Sequence, residues 1–192
     1  MHPGRIVIGL SGASGAPVGL EILRYFQSRP EVESHLIISR GAEETIRQEC
    51  ELSLDEVRAL ADVVYEQRDI GAAVASGSFK TLGMMVVPAS MKTLAGLASG
   101  YSDNLLLRAA DVCLKERRRL VLAARESPLS NIHLRNMLTL SEAGAIIQPL
   151  ALTYYNHPRE VEDMTRHMAA KILDMFGFEL PGFRRWDGGR PQ

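Results

Sequence analysis

The residues of this sequence with the clearest capacity for chemistry are small or hydroxylated and sit where an apolar run gives way to a helical pattern. Backbone N–H groups can approach an anion there, and the helix that follows aims its positive end at the same point. One such run is Gly9-Leu10-Ser11-Gly12-Ala13-Ser14-Gly15-Ala16-Pro17. A second is Ser39-Arg40-Gly41. In a third, Pro88-Ala89-Ser90-Met91-Lys92-Thr93, a hydroxyl and free amides can form an anion nest. A fourth, Arg125-Glu126-Ser127-Pro128, sets a guanidinium beside an acid, which can fix that acid next to a phosphate. Each has a plainer alternative that stays open at this point: a tight turn, a serine N-cap or a surface ion pair.

Two helical patterns add cations. Arg108, Asp111 and Lys115 share one face by spacings of three and four, as a phosphate clamp or a solvated face would. Met164, Met168, Lys171 and Met175 form a stripe in which a lysine interrupts apolar residues. An unpaired charge is costly there. Either the lysine snorkels to water or it meets a buried anion.

Other chemistries lack anchors. Glycines at 9, 12 and 15 do not make G-x-G-x-x-G, and no Walker motif or G-x-S-x-G elbow occurs. His2, His35, His133, His157 and His167 include no pair at ligand spacing on one helix, so no metal site is expected. Cys50 and Cys113 lie far apart, which removes a disulfide framework and points to a reducing compartment, the cytoplasm. With 22 Lys+Arg against 23 Asp+Glu the formal charge is −1, so the basic excess of a nucleic-acid binder is missing. No apolar run reaches the roughly 18 residues of a membrane span, and Ile6–Leu10 is too short for a signal-peptide core.

The elements that must position these residues alternate along the 192-residue chain. Strands are expected at Arg5–Leu10, Ser34–Ser39, Met84–Val87, Leu120–Ala123 and Ala145–Ile147. Helices are expected at Ala16–Ser28, Ala42–Glu49, Ser90–Ala98, Asn104–Arg117, Ser130–Ala143 and Pro158–Phe176, the last with Pro in its first turn and Gly177 after its end. A capping box, Ser53 to Glu56, opens a short helix to about Ala61. Ile70–Gly83 reads as a long loop of the kind that is often functional. Strand–helix alternation with short connectors predicts an α/β fold, an open parallel sheet with helices on both faces. The chain divides into one domain, 1–180, and a tail, 181–192, carrying Trp186. In such a sheet ligands lie beyond the carboxyl ends of the strands, where the four runs fall.

Taken in order, several motifs resemble the flavin prenyltransferases, the UbiX-like family once described as aromatic acid decarboxylases. They are Gly12-Ala13-Ser14-Gly15-Ala16, Ser76-Gly77-Ser78, Pro88–Leu94, Arg108-Ala109-Ala110-Asp111-Val112, Leu114–Arg118, Arg125–Leu129 and Tyr155-Asn156-His157-Pro158. The resemblance covers about Arg5 to Trp186. It implies a flavodoxin-like Rossmann variant assembled as a homododecamer, with neighbouring subunits completing each site. It also implies reduced FMN as co-substrate and dimethylallyl monophosphate as prenyl donor. The product, prenylated FMN, would pass to a UbiD-like decarboxylase, and no metal would be needed. By position, Gly12, Ala13, Ser14, Ser39, Ser90, Met91, Lys92, Thr93 and Arg125 would line the FMN site. Tyr155 and Lys171 would hold the substrate phosphate, with Arg108 and Lys115 contributing and Trp186 near the prenyl pocket. Ser14, Glu49 and Glu126 would act in catalysis. Ala89 stands where many members have Cys, and Lys171 where several have Arg. A direct FMN-dependent decarboxylase and a flavin carrier without chemistry are the competing readings.

Overall fold

The structure, a computed structural model, describes residues 4–186 and 188. Among these residues six parallel strands form one sheet: β1 (Gly4–Leu10), β2 (Val32–Ile38), β3 (Val63–Tyr65), β4 (Gly83–Ala89), β5 (Arg119–Ala124) and β6 (Ile146–Ile147). Their order is β3-β2-β1-β4-β5-β6, so the direction of winding reverses between β1 and β4. That reversal opens the crevice in which doubly wound sheets bind ligands.

Among the described residues seven helices cover the sheet: α1 (Ala16–Gln27), α2 (Arg40–Glu49), α3 (Leu54–Arg58), α4 (Met91–Ala98), α5 (Leu105–Lys115), α6 (Asn131–Glu142) and α7 (Val161–Asp174). Strands buried on both sides must be apolar throughout, and the runs in β1 and β4 obey this. Ile6, Ile8 and Leu10 join a core with Ile22, Phe26, Ile46, Ala169 and Leu173, which α1, α2 and α7 supply. Val7, Met84 and Val86 join the opposite core with Leu94, Leu106, Ala110 and Leu140, from α4, α5 and α6. The caps are local in origin. Ser39, Ser53, Ser90, Asn104 and Ser130 each accept a first-turn amide through the side chain.

Three expectations need correction. The edge strand β3 was not anticipated, because three residues show no periodicity. Helix α7 begins at Val161 behind Glu160, not at Pro158, since His157 takes φ +51° and turns the chain first. The Met164–Met175 stripe is not the buried face of α7, which carries His167, Ala169, Ala170, Ile172 and Leu173 instead. Residues 70–82 are irregular apart from one 3-10 turn, Ala73–Ala75, and Gly83 already belongs to β4. No helix among the described residues is long and apolar enough to cross a membrane.

Candidate active site

The loop after β1 is built around Ser11, which is 1% exposed. Its hydroxyl donates to the Pro88 carbonyl at 2.9 Å and accepts from the Ser90 amide at 2.8 Å. One side chain thus ties the β1 loop to the start of α4 across the switch point. Gly12 meets the first turn of α2 backbone to backbone: a Cβ on Gly12 would lie 2.9 Å from the Gly41 Cα. Gly12 and Ser14 are exposed above this junction, and Ala13 is half-buried.

The positive end of α1 already has an anion. Glu49, the last residue of α2, accepts from the amides of Gly15 at 2.8 Å and Ala16 at 3.0 Å through the same oxygen, Oε2. Gly15 takes φ +114°, which presents both amides to that carboxylate. The phosphate cradle read from the glycines is therefore in part a cradle for a side chain. Glu49 is thereby held against the loop that carries Ser14.

Two further helix starts converge on the same end of the sheet. Ser39 caps α2 by accepting from Ala42 at 3.1 Å, while its own amide donates to the Leu10 carbonyl. Ser90 caps α4, with its hydroxyl 3.0 Å from that of Thr93. Met91 is buried beneath this turn and Lys92 is exposed on it. The Arg125 amide donates to the Ala89 carbonyl, so Arg125 and Glu126 stand at the carboxyl end of β5 beside α4. Both are exposed, and Glu126 accepts from the Ser127 amide. Gly12, Ala13, Ser14, Ser39, Glu49, Ser90, Met91, Lys92, Thr93, Arg125 and Glu126 thus share one end of the sheet.

The residues read as a phosphate clamp do not join them within one chain. Lys115 is at the far end of α5, paired with Glu116 against Gly77 in the loop that leads into β4. That loop is at the amino ends of the strands. Arg108 pairs with Asp111 at 2.8 Å and donates to the Ala75 carbonyl at 3.2 Å. Lys171 is exposed on α7 and leans toward Asp174 at 3.5 Å, away from the first turn of α7, whose Val161 and Glu162 border a cavity with Glu49. Tyr155 is exposed beside α7, its hydroxyl 3.3 Å from Nε2 of His167 on the buried face of that helix and its ring 5.7 Å from that of Trp186. Sequence reasoning missed His167, whose only signal was its place one turn before Lys171. Burial, and then the Lys171 ammonium, push its pKa down. A cavity of about 420 Å³ lies beside it, lined by Arg159, Arg166, Phe183 and Arg184 and by none of the strand-end residues. Cys113 is buried and its thiol is pushed up to about 12, so it is no nucleophile.

A parallel sheet with hydroxyl-bearing loops at its switch point is the setting of a nucleotide-binding protein, and residues 1–174 match the model of the Flavoprotein family. A probable UbiX-like flavin prenyltransferase of Streptomyces sp. (strain D7) is 52% identical over 186 residues, covering 97% of this chain and 93% of the relative. Two solved structures agree closely. The dodecameric FMN-dependent UbiX-like decarboxylase from Escherichia coli O157:H7 superposes with a TM-score of 0.94 at 49% identity, covering 96% of this chain and 100% of that one. AnUbiX in complex with FMN and dimethylallyl pyrophosphate gives a TM-score of 0.95 at 48% identity, covering 98% and 100%. The chain is a flavoprotein in the sense of that family. Within it, the chain belongs to the UbiX-like flavin prenyltransferases.

Proposed function

We propose that this protein joins the dimethylallyl group of dimethylallyl monophosphate to N5 and C6 of reduced FMN. The observation that carries this reading is Glu49 fixed on the Gly15 and Ala16 amides, at the mouth of a cleft whose other wall is the hydroxyl-capped start of α4. A flavin carrier needs the second feature and not the first. The cleft suits FMN. Gly12 lets the β1 loop close on Gly41 of α2, and Ser90, Thr93 and Lys92 gather donors at a helix start for an anionic tail. Because Glu49 already answers α1, the starts of α2 and α4 are left to the FMN phosphate, and α4, with Ser90, Thr93 and Lys92, offers it more donors than the Ser39 start of α2. FMN supplies the nucleophilic ring positions.

This chain's residues then have distinct tasks. Glu49 and Ser14 receive and return protons at the flavin edge. Glu126 exchanges a proton with the departing phosphate. Tyr155 and Lys171 bind that phosphate and stabilise its growing charge with donors already in place. Trp186 walls the prenyl pocket, where an allylic cation would meet an aromatic face instead of water. Lys115 lies at the other end of its own subunit, so it serves the cleft of a neighbouring copy, and Arg108 shares its helix face. This agrees with a homododecamer like that of the E. coli relative. The FMN-binding domain is 1–180 and the tail is 181–192, within which Trp186 packs on Tyr155. The protein works in the cytoplasm and hands prenylated FMN to a UbiD-like decarboxylase.

The name of the E. coli relative keeps direct decarboxylation in view. Anaerobic incubation with reduced FMN and dimethylallyl monophosphate, followed by mass spectrometry of the flavin, separates the two. A flavin heavier by one dimethylallyl group is expected. An unchanged flavin with release of carbon dioxide from an aromatic acid overturns the proposal. A parallel run with the pyrophosphate fixes the donor.

A further inference from the structure

Tyr155 has one phenolic proton and two claims on it. A phosphate oxygen needs that proton from the ligand side, and His167 Nε2 lies 3.3 Å away on the protein side. A phenol that donates to the imidazole has nothing left to give a phosphate. The direction of this one hydrogen bond therefore decides whether Tyr155 is a donor to the substrate at all.

The surroundings set that direction. His167 is 9% exposed on the buried face of α7. Its ring meets Tyr155 edge-on at 5.6 Å and 83°, and Phe183 of the tail lies 5.1 Å from it. Trp186 holds the other side of the phenol at 5.7 Å. Lys171, one turn along α7, also faces the ring and adds positive potential there. The imidazole is thus fixed by burial and the exposed phenol is held against it by ring contacts, which leaves the direction of the shared proton to be set. An anion near Lys171 draws the phenolic proton outward and leaves the phenol oxygen as acceptor for an imidazole N–H.

We propose that His167 is a positioning residue that donates its Nε2–H to the Tyr155 oxygen and so turns the Tyr155 proton toward the prenyl phosphate. This rests on the reading of Tyr155 and Lys171 as the substrate's phosphate site. His167 touches neither flavin nor substrate and acts only through the phenol.

The test is a double-mutant cycle on kcat/KM for dimethylallyl monophosphate, with the full-length protein and saturating reduced FMN. Y155F is expected to lower kcat/KM about tenfold, the scale of one hydrogen bond to a charged group. H167F, which keeps an aromatic ring but no donor, is expected to lower it about three- to tenfold. The Y155F/H167F pair should be no worse than Y155F alone. H167Q, whose amide reaches the Nε2 position, should recover most of the loss, and H167N, which reaches only to Nδ1, should not. Multiplying losses in the pair, or equal behaviour of Gln and Asn, would mean that His167 does not act through the phenol, and the inference falls. No loss in H167F alongside a loss in Y155F has the same effect and leaves the phosphate site standing. No loss in Y155F removes the phosphate reading and this inference with it. FMN affinity serves as the control, since a general packing defect would lower it along with kcat/KM.

Discussion

Glu49→Gln keeps the shape of the side chain and removes its charge, so it separates the structural work of this carboxylate from its chemical work. In the native protein one oxygen accepts from Gly15 and Ala16 at the positive end of a 12-residue helix. Hydrogen bonds to a charged group contribute about 1.5–3 kcal/mol each, and neutral ones about 0.5–1.5. The helix dipole adds about 0.3–1 kcal/mol for an anion in this position. Two bonds losing about 1 kcal/mol each would give about 2, and half-exposure of Glu49 reduces that to about 1–2 kcal/mol. For a domain of this size the melting temperature should fall by about 2–8 °C. Glu49→Ala should lose more, because both amides then depend on water. Thermal unfolding at one fixed protein concentration, without flavin, reads this directly, since assembly would otherwise shift the transition. Turnover should collapse in Glu49→Gln even well below its melting point. If both variants melt within a degree of the parent, Glu49 does not cap α1 and the site geometry argued from it is wrong.

Glu126→Gln should leave FMN bound and cut turnover by two orders of magnitude or more; unchanged turnover by product assay removes Glu126 from the mechanism. Ser90→Ala should lower stability by about 0.5–2 kcal/mol through loss of the α4 cap and weaken FMN binding, both measurable by urea unfolding and flavin titration. Equal FMN affinity would place the flavin phosphate elsewhere. Acid should weaken the fold below about pH 6.5. Burial pushes the pKa of His35 down despite Glu33, which faces it with Arg5, Asp62 and Tyr65, and burial with Lys171 does the same at His167. A histidine whose folded pKa is depressed contributes stability fully above its unfolded value, and that contribution shrinks as pH drops beneath it. Glu33, held below the usual carboxylate range chiefly by Arg5, adds a second loss only at pH below 4.5. Unfolding free energies that are flat between pH 7.5 and 5.5 would contradict the burial of these two rings.

Much of the scaffold was legible because its signals are local. The apolar runs at β1 and β4 must be covered on both faces, and the Ser53–Glu56 box names its own helix. β3 was not legible, since Val63–Tyr65 is recognisable only by its pairing with β2. The start of α7 was misread because Pro158 fits a helix's first turn, yet Asp163 ties back to the Arg159 amide and delays the helix to Val161. Sequence order correctly grouped Gly12, Ser14, Ser39, Ser90 and Arg125 at one end of the sheet. It could not show that Glu49 occupies the end of α1, a contact between residues more than thirty apart. Nor could it show that Lys115 points to the opposite pole, because spacing along α5 says nothing about which end of the sheet the helix reaches.

The double role of the Ser11 hydroxyl has a mechanical outcome. Two walls latched by one buried atom cannot part independently, so the gap between them is settled when the chain folds and not when a guest arrives. Whatever yielding the guest requires must come from the rim, where Arg125 and Glu126 stand exposed.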